Sequence, residues 1–466
     1  MRQVDRLLRG AIVVTMDGHR TVYDRGYVAI DDGRIVGVGR DRDCEFDSAD
    51  TWQLRDAVVM PGLVNAHTHL SNGITRGLYD ELPLADWVQR GMWPTLRAYD
   101  AERAYHGARV ALAENLLGGV TTTVVGEFGA PNRQAIEGVI QAVIESRSRA
   151  VVARISVDSD DDTDPSQATA PDARESIDDA LAEVTRLRQE YANPLVHICP
   201  EPLGVLRCTP EMVRAFAEYA RAEGTRMTMH VASSPDERDE ALRRYGRGSI
   251  EQLAELGVLG PHLLIAHCVW PTAHERRLLA ETGTGVSHNP VANLMYASGL
   301  APLAEMIDAG VRIGLGTDGA STNNGQNMWE TMKMAIFLQK SRFGAAWGSA
   351  ELALELATIG GARAIGMDTE IGSIEVGKRA DLIVIDLAQP HLVPRHTWPS
   401  NLVYSGDPHA VRTVMVDGVT VVDNGRLTMW DHDEVVRSGH RAADVMNTRT
   451  GLADAYRARS RWTWCE

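Results

Sequence analysis

The segment VNAHTHL places His67 and His69 two positions apart, just past the apolar run VVMPG. Side chains alternate faces along an extended chain, so both imidazoles lie on one side of it. Two imidazoles aimed at one point suit a shared metal ion. Other polar residues stand in comparable settings, each closing a short hydrophobic stretch. They are His230 in MTMHVA, His267 in LIAHCV, His288 in GVSHNP and Asp318 in GLGTDGA. Imidazole with carboxylate is a donor set for a borderline divalent cation such as Zn²⁺ or Fe²⁺. Glu127, in VVGEFGAP, is a further acid expected at a strand end, either in a catalytic role or in a helix cap or loop ion pair.

Positioning these groups takes a particular scaffold. AYHGARVALAENLLGGVTTTVVG runs from a helical pattern through glycine into β-branched residues. PEMVRAFAEYARAEGTRMTMHVA, SIEQLAELGVLGPHLLIAHCV, HERRLLAETGTGVSHNP and APLAEMIDAGVRIGLGTDGA repeat that order. Helix, glycine, hydrophobic strand and polar loop in succession indicate βα units with parallel strands. Strand candidates end near His69, Glu127, Ser156, Pro200, His230, His267, His288 and Asp318, and eight such units close a (β/α)8 TIM barrel. Barrel active sites gather at the C-terminal ends of the strands, which is where these histidines and Asp318 fall. Both ends of the chain read differently, as short strands around Asp-Gly turns (DDGRIVGVG; VMVDGVTVV). Neither end has strands enough to stand alone, so the two are expected to pair in one small β-sandwich. The expected division is 1–60 and 370–430 for the sandwich, 61–369 for the barrel, and 431–466 for a C-terminal helix and tail.

Composition narrows the partners. The chain has 466 residues and a net charge of -16, without a run of Lys or Arg. A nucleic-acid backbone would be repelled, so no nucleic-acid partner is expected. No run of 18 apolar residues exists and the N-terminus lacks an apolar core of signal-peptide length, so no membrane partner is expected. The cysteines, Cys44, Cys199, Cys208, Cys268 and Cys465, are odd in number and scattered, which fits a reduced, cytoplasmic setting. The segment DSDDDTDPSQATAPDARES reads as an exposed polar insertion.

PGLVNAHTHL, His230, His267, HNPVANLMYASG and GTDGAST together resemble the amidohydrolase superfamily, in this order along nearly the whole chain. The resemblance is nearer to its aminohydrolase branch of adenosylhomocysteine and methylthioadenosine deaminases, guanine deaminases and triazine hydrolases. It implies a TIM barrel whose His67, His69, His230 and Asp318 hold one divalent metal ion, Zn²⁺ first, with Fe²⁺, Co²⁺ or Mn²⁺ as alternatives. It also implies that Asp318 doubles as the base and that His267 sits beside the activated water and a substrate heteroatom. His288 and Asn293 would line the substrate pocket. Asn65 or Thr317 would support the ligands from behind. The fourth strand end reads LVHICPEP, with no lysine to carbamylate, which points to one metal rather than two.

One position departs from that branch. Its deaminases carry glutamate three residues after the fifth-strand histidine, where it protonates a substrate ring. Here that position is Ser233, with Asp236 and Glu237 further along. Two functions therefore stand side by side: hydrolytic deamination of an amino-substituted purine, pterin, pyrimidine or triazine, and hydrolysis of an amide, urea, carbamate or thiocarbamate. Trp87, Met92 and Trp93 are expected to form a hydrophobic lid over a small-molecule substrate, or else to bury the loop helix or a subunit contact. Met328, Trp329, Met332 and Met334 have helical spacing and read as core or dimer interface. Trp462 and Trp464 near the C-terminus point to a homo-oligomer, dimer or tetramer.

Overall fold

The computed structural model describes residues 1–82, 84–160, 169–459 and 461–462. Trp464, Cys465 and the centre of the polar insertion lie outside the described residues. The first long strands are β1 (Arg6–Val14), β2 (Val22–Asp31), β3 (Arg34–Arg40), β4 (Thr51–Gln53) and β5 (Ala57–Pro61). The next eight are β6 (Leu63–Thr68), β7 (Val120–Phe128), β8 (Arg149–Ser156), β9 (Val196–Pro202), β10 (Met227–Val231), β11 (Leu263–His267), β12 (Gly285–His288) and β13 (Arg312–Leu315). Each strand end falls within three residues of its expected place.

These eight strands are all parallel and form two four-stranded arcs, β6 to β9 and β10 to β13. Two backbone hydrogen bonds join the arcs into a barrel. His230 N donates to Leu203 O at 3.2 Å on one side, and Asp318 N donates to His67 O at 2.9 Å on the other. Both seams run through residues of the expected site, so the bonds that close the barrel also place those residues. β8 is buried at every position and β7 at all but its last, as strands covered on both faces must be. Val124, Val151, Met229, Ile265 and Val286 belong to one continuous core. Each such side chain contributes roughly 1.5–3 kcal/mol of burial.

Helices cover the barrel and are capped from their own sequence. Thr209, Ser234 and Thr272 each accept a backbone N–H from three residues on, at the starts of helices Pro210–Ala222, Pro235–Tyr245 and Ala273–Thr282. Met328, Trp329 and Met332 are core residues of helix Met328–Phe343, while Met334 is half-buried.

After the barrel come β14 (Leu382–Asp386), β15 (Val411–Val416), β16 (Val419–Asp423) and β17 (Arg426–Leu427). β14 pairs antiparallel with β5, so strands from both ends of the chain make one nine-stranded sheet. The sheet folds back on itself. Its hairpin tips, Asp32-Gly33 and Asp417-Gly418, all have positive φ and meet through Ala380, whose N–H donates to Gly33 O while its C=O accepts from Gly418 N. Asp-Gly is the pair that such tight hairpin turns favour. Arg149, at the root of β8, grips Asp381 with two hydrogen bonds of 2.8 and 3.1 Å and ties barrel to sandwich. Helix His432–Thr450 follows and packs on the outside of helix Ala101–Leu117, with Arg109 Nη2 2.6 Å from Glu434 Oε2. Among the described residues no helix is long and apolar enough to cross a membrane.

Candidate metal centre and substrate cavity

The two histidines of β6 meet the others at the C-terminal mouth of the barrel. The His67 and His69 rings lie edge to face with centroids 4.9 Å apart, and His67 is 4.8 Å from the His230 ring. His69 Nε2 stands 3.4 Å from His230 Nε2 and 3.5 Å from Asp318 Oδ1, and His67 Nε2 stands 3.7 Å from the same oxygen. Four donors arranged tetrahedrally about 2.1 Å from a central ion are separated by about 3.4 Å. The spacing therefore fits one zinc-sized cation. His67 Nε2 supplies an independent sign, being buried without a hydrogen-bond partner. Bare buried nitrogen of this kind is costly unless something fills its lone pair. His67, His69 and Asp318 form one potential ligand group, and His67, His230 and His267 form another that shares His67.

Local structure aims each donor. His69 Nδ1 lies 2.5 Å from Gly126 O, which turns Nε2 inward. His230 Nδ1 lies 3.0 Å from Glu201 Oε1, with the same consequence. Asp318 Oδ1 accepts Gly319 N at 2.7 Å. Behind it, Asn65 Oδ1 accepts Thr317 N at 3.0 Å and Asn65 Nδ2 donates to Thr317 Oγ1 at 2.8 Å, so both residues expected to support the ligands do bond to each other there. Ala232, His267, Cys268 and Asp318 have φ of 55, 75, 48 and 63°. Left-handed backbone at non-glycine residues costs of order 1–3 kcal/mol each and persists where surrounding structure imposes it. Here it clusters at three of the strand ends that face the donors.

Electrostatics keep the imidazoles available as lone-pair donors. Burial, reinforced by His230, His69 and His267, holds His67 well below the ordinary histidine range. Burial likewise pushes His267 down to about 4, against the pull of Asp318. His230 goes the other way. Burial would lower it, but the adjacent Glu201 carboxylate raises it. His267 Nδ1 is 3.0 Å from Asn293 Oδ1, and its Nε2 is 3.9 Å from Asp318 Oδ2.

A cavity of about 140 Å³ opens from this centre and is reached by His69, His230, His267 and Asp318. Trp87, Met92, Leu96, Phe128, Leu206 and Tyr296 are among its apolar lining. Trp87 meets Tyr296 edge to face, with centroids 5.4 Å apart. Glu127 and Ser233 line the cavity, as expected. Trp93 does not. It turns away from the cavity and packs on Phe128 at 5.8 Å, 3% exposed, so it backs the wall rather than forming it. His288 is absent from the lining as well. It is fully buried with both ring nitrogens free of hydrogen bonds, and burial pushes it down to about 4. Asn293 acts through His267 instead of touching the cavity.

Two acids stand where a proton donor could be sought. Glu237 lines the cavity, but its carboxylate accepts Ala232 N and Ser233 N, both at 2.7 Å, and Ser249 Oγ at 2.8 Å. It is spent on holding the loop after β10. Glu127 accepts Ser71 N at 2.9 Å and Ser71 Oγ at 2.8 Å, yet burial raises its carboxyl above the usual range despite His69 and those bonds. Glu201, 1% exposed, is a site residue that the sequence reading of LVHICPEP does not single out. An acid inside an otherwise apolar strand was the available signal. Tyr79 and Tyr296 of the wall left no comparable signal.

Comparison with known proteins agrees with this geometry. The chain is 33% identical over 447 residues to a 5'-deoxyadenosine deaminase of Methanosarcina acetivorans, covering 96% of this chain and 99% of that one. The structure resembles that of an adenosine deaminase from Xanthomonas campestris with bound zinc, with a TM-score of 0.89 and 30% identity over 96% of this chain and 99% of that one. It also resembles a zinc complex of atrazine chlorohydrolase from Arthrobacter aurescens, with a TM-score of 0.87 and 26% identity over 94% of this chain and all of that one. A profile described as the amidohydrolase family matches residues 58–421. Barrel, polar strand ends and matched span agree, and the chain belongs to the amidohydrolase family, as a hydrolase of carbon–nitrogen bonds.

Proposed function

We propose that this chain removes the amino group of an amino-substituted N-heterocycle of purine, pterin, pyrimidine or triazine type, using one Zn²⁺ per subunit. His67, His69, His230 and Asp318 would hold the ion. The observation that carries this reading is the convergence of those four side chains, with donor separations of 3.4, 3.5 and 3.7 Å, beside a cavity with an apolar wall. The deaminase names of relatives matching nearly end to end support the heterocyclic substrate. A divalent ion in such a set lowers the pKa of water from about 16 towards about 7.

The protein's own groups divide the remaining work. Asp318 Oδ1 faces His67 and His69, while Oδ2 faces His267, so one carboxylate serves both as ligand and as proton acceptor. His267 is kept neutral by burial, and Asn293 orients its ring. It can take a proton and, once charged, stabilise negative charge growing on the substrate. Glu127, raised by burial although both its oxygens accept from Ser71, is the lining acid assigned to protonate a ring nitrogen, since Ser233 is a poor proton donor and Glu237 holds three bonds of its loop.

A second reading, hydrolysis of an amide, urea, carbamate or thiocarbamate, is favoured by that same observation at Ser233 and Glu237. Such substrates need no ring protonation. Ammonia release from a panel of ring amines, run beside amine release from phenylureas and thiocarbamates, separates the two. Ser233→Glu sharpens the result. Under the first reading it raises ring deamination by about tenfold or more, within the usual reach of acid catalysis. A fall in deamination, together with turnover of a urea or thiocarbamate, establishes the second. The reading includes a cytoplasmic homo-oligomer, whose subunit count light scattering measures directly.

A further inference from the structure

Glu201 ends the run VHICPE inside β9 and is 1% exposed. Its Oε1 lies 3.0 Å from His230 Nδ1. Neither Glu201 oxygen nor His230 Nδ1 has a partner of hydrogen-bond geometry, so the 3.0 Å approach is a close polar contact between buried groups. Among the described residues no Lys or Arg forms an ion pair with it. Glu201 Oε2 occupies space that exists because residue 126, on β7, is glycine. A Cβ there would fall 2.8 Å from Glu201 Oε2 and 3.2 Å from His69 Cε1. Burying an ionised carboxylate without a counter-charge is very unfavourable. The polar group it faces at close range is His230.

We infer that Glu201 is a positioning residue of the metal centre, standing against the Nδ1 edge of His230 so that Nε2 points at the cation. Carboxylates behind ligating histidines fix the tautomer and make the ring a stronger donor. Gly126 belongs to the same device. Its carbonyl orients His69 and its missing side chain leaves room for Glu201, so one strand serves two ligands.

This inference rests on the metal reading above, and one experiment tells the two apart. Zinc affinity is measured on the full-length protein by competition with a chromophoric chelator, for wild type, Glu201→Gln and Gly126→Ala. Glu201→Gln keeps size and shape and removes the charge. It is expected to weaken zinc binding by roughly 10–100-fold and to shift the visible absorption of the Co²⁺-loaded protein, which reports the ligand field directly. Gly126→Ala, which disturbs Glu201 and His69 by contact alone, is expected to weaken binding in the same direction. Wild-type zinc affinity and an unchanged Co²⁺ spectrum in Glu201→Gln would overturn the role of Glu201 and leave the metal centre standing. A wild-type protein that binds no zinc would remove both.

Discussion

Asp318 carries more duties than any other residue of the site. Its backbone N–H closes one seam of the barrel, its Oδ1 faces two histidines and its Oδ2 faces His267. Asp318→Asn keeps the backbone bond and the side-chain shape but not the charge or basicity. It is expected to cut kcat by about 10²–10⁴-fold with an unchanged far-UV circular dichroism spectrum; near-native turnover would show that another group accepts the proton. Residues of this kind were readable because an isolated histidine or aspartate at the end of an apolar strand has few packing reasons to be there. Glu201 was less readable. Its meaning depends on His230, which lies across the junction between the two arcs, and no spacing along the chain reports that contact. His288 shows the converse. It shares the strand-end pattern of its neighbours, yet it is buried and does not reach the cavity, since a pattern fixes position along a strand and not depth.

Among the elements, the turn after β10 is the one most specialised by this chain. Ala232 is forced to φ 55°, and Glu237 from the first turn of helix Pro235–Tyr245 reaches back to bind two consecutive N–H groups. The acid that might have served chemistry thus serves geometry, which is why the sequence left its role open. Glu237→Gln weakens charge-assisted hydrogen bonds within a buried network. It is expected to cost about 1–3 kcal/mol in urea unfolding, with a higher KM because Ser233 and Ser234 on that turn line the cavity. Unchanged stability would mean the loop is held by other contacts. The βα units were legible because helix and strand periods differ and glycine marks the change between them. The walls were not, because Tyr79, Leu96, Leu206 and Tyr296 sit in loops and short helices whose side-chain directions are set only by the assembled barrel.

At the scale of the whole molecule, the sandwich and the barrel are joined at a charged root. Arg149 and Asp381 are both nearly inaccessible, and Asp381 also accepts Asp417 N at 2.8 Å. Removing the acid leaves a buried guanidinium with its partner gone. Asp381→Ala is therefore expected to cost about 3–5 kcal/mol, although its main-chain carbonyl still accepts Gly62 N just before β6 begins. Equal unfolding midpoints for variant and wild type would contradict that coupling. The joining of the two chain ends in one sheet was foreseeable from their incomplete strand sets, but the ion pair beneath it was not, because its members are 232 residues apart.

Metal analysis of purified, chelator-washed protein shows whether distant strand ends grip one cation. Close to one equivalent of zinc per chain is expected in the wild type, and its loss in His67→Ala, whose buried Nε2 has no hydrogen-bond partner. Less than about half an equivalent in the wild type, or equal metal in both proteins, would contradict a tetrahedral site built on His67.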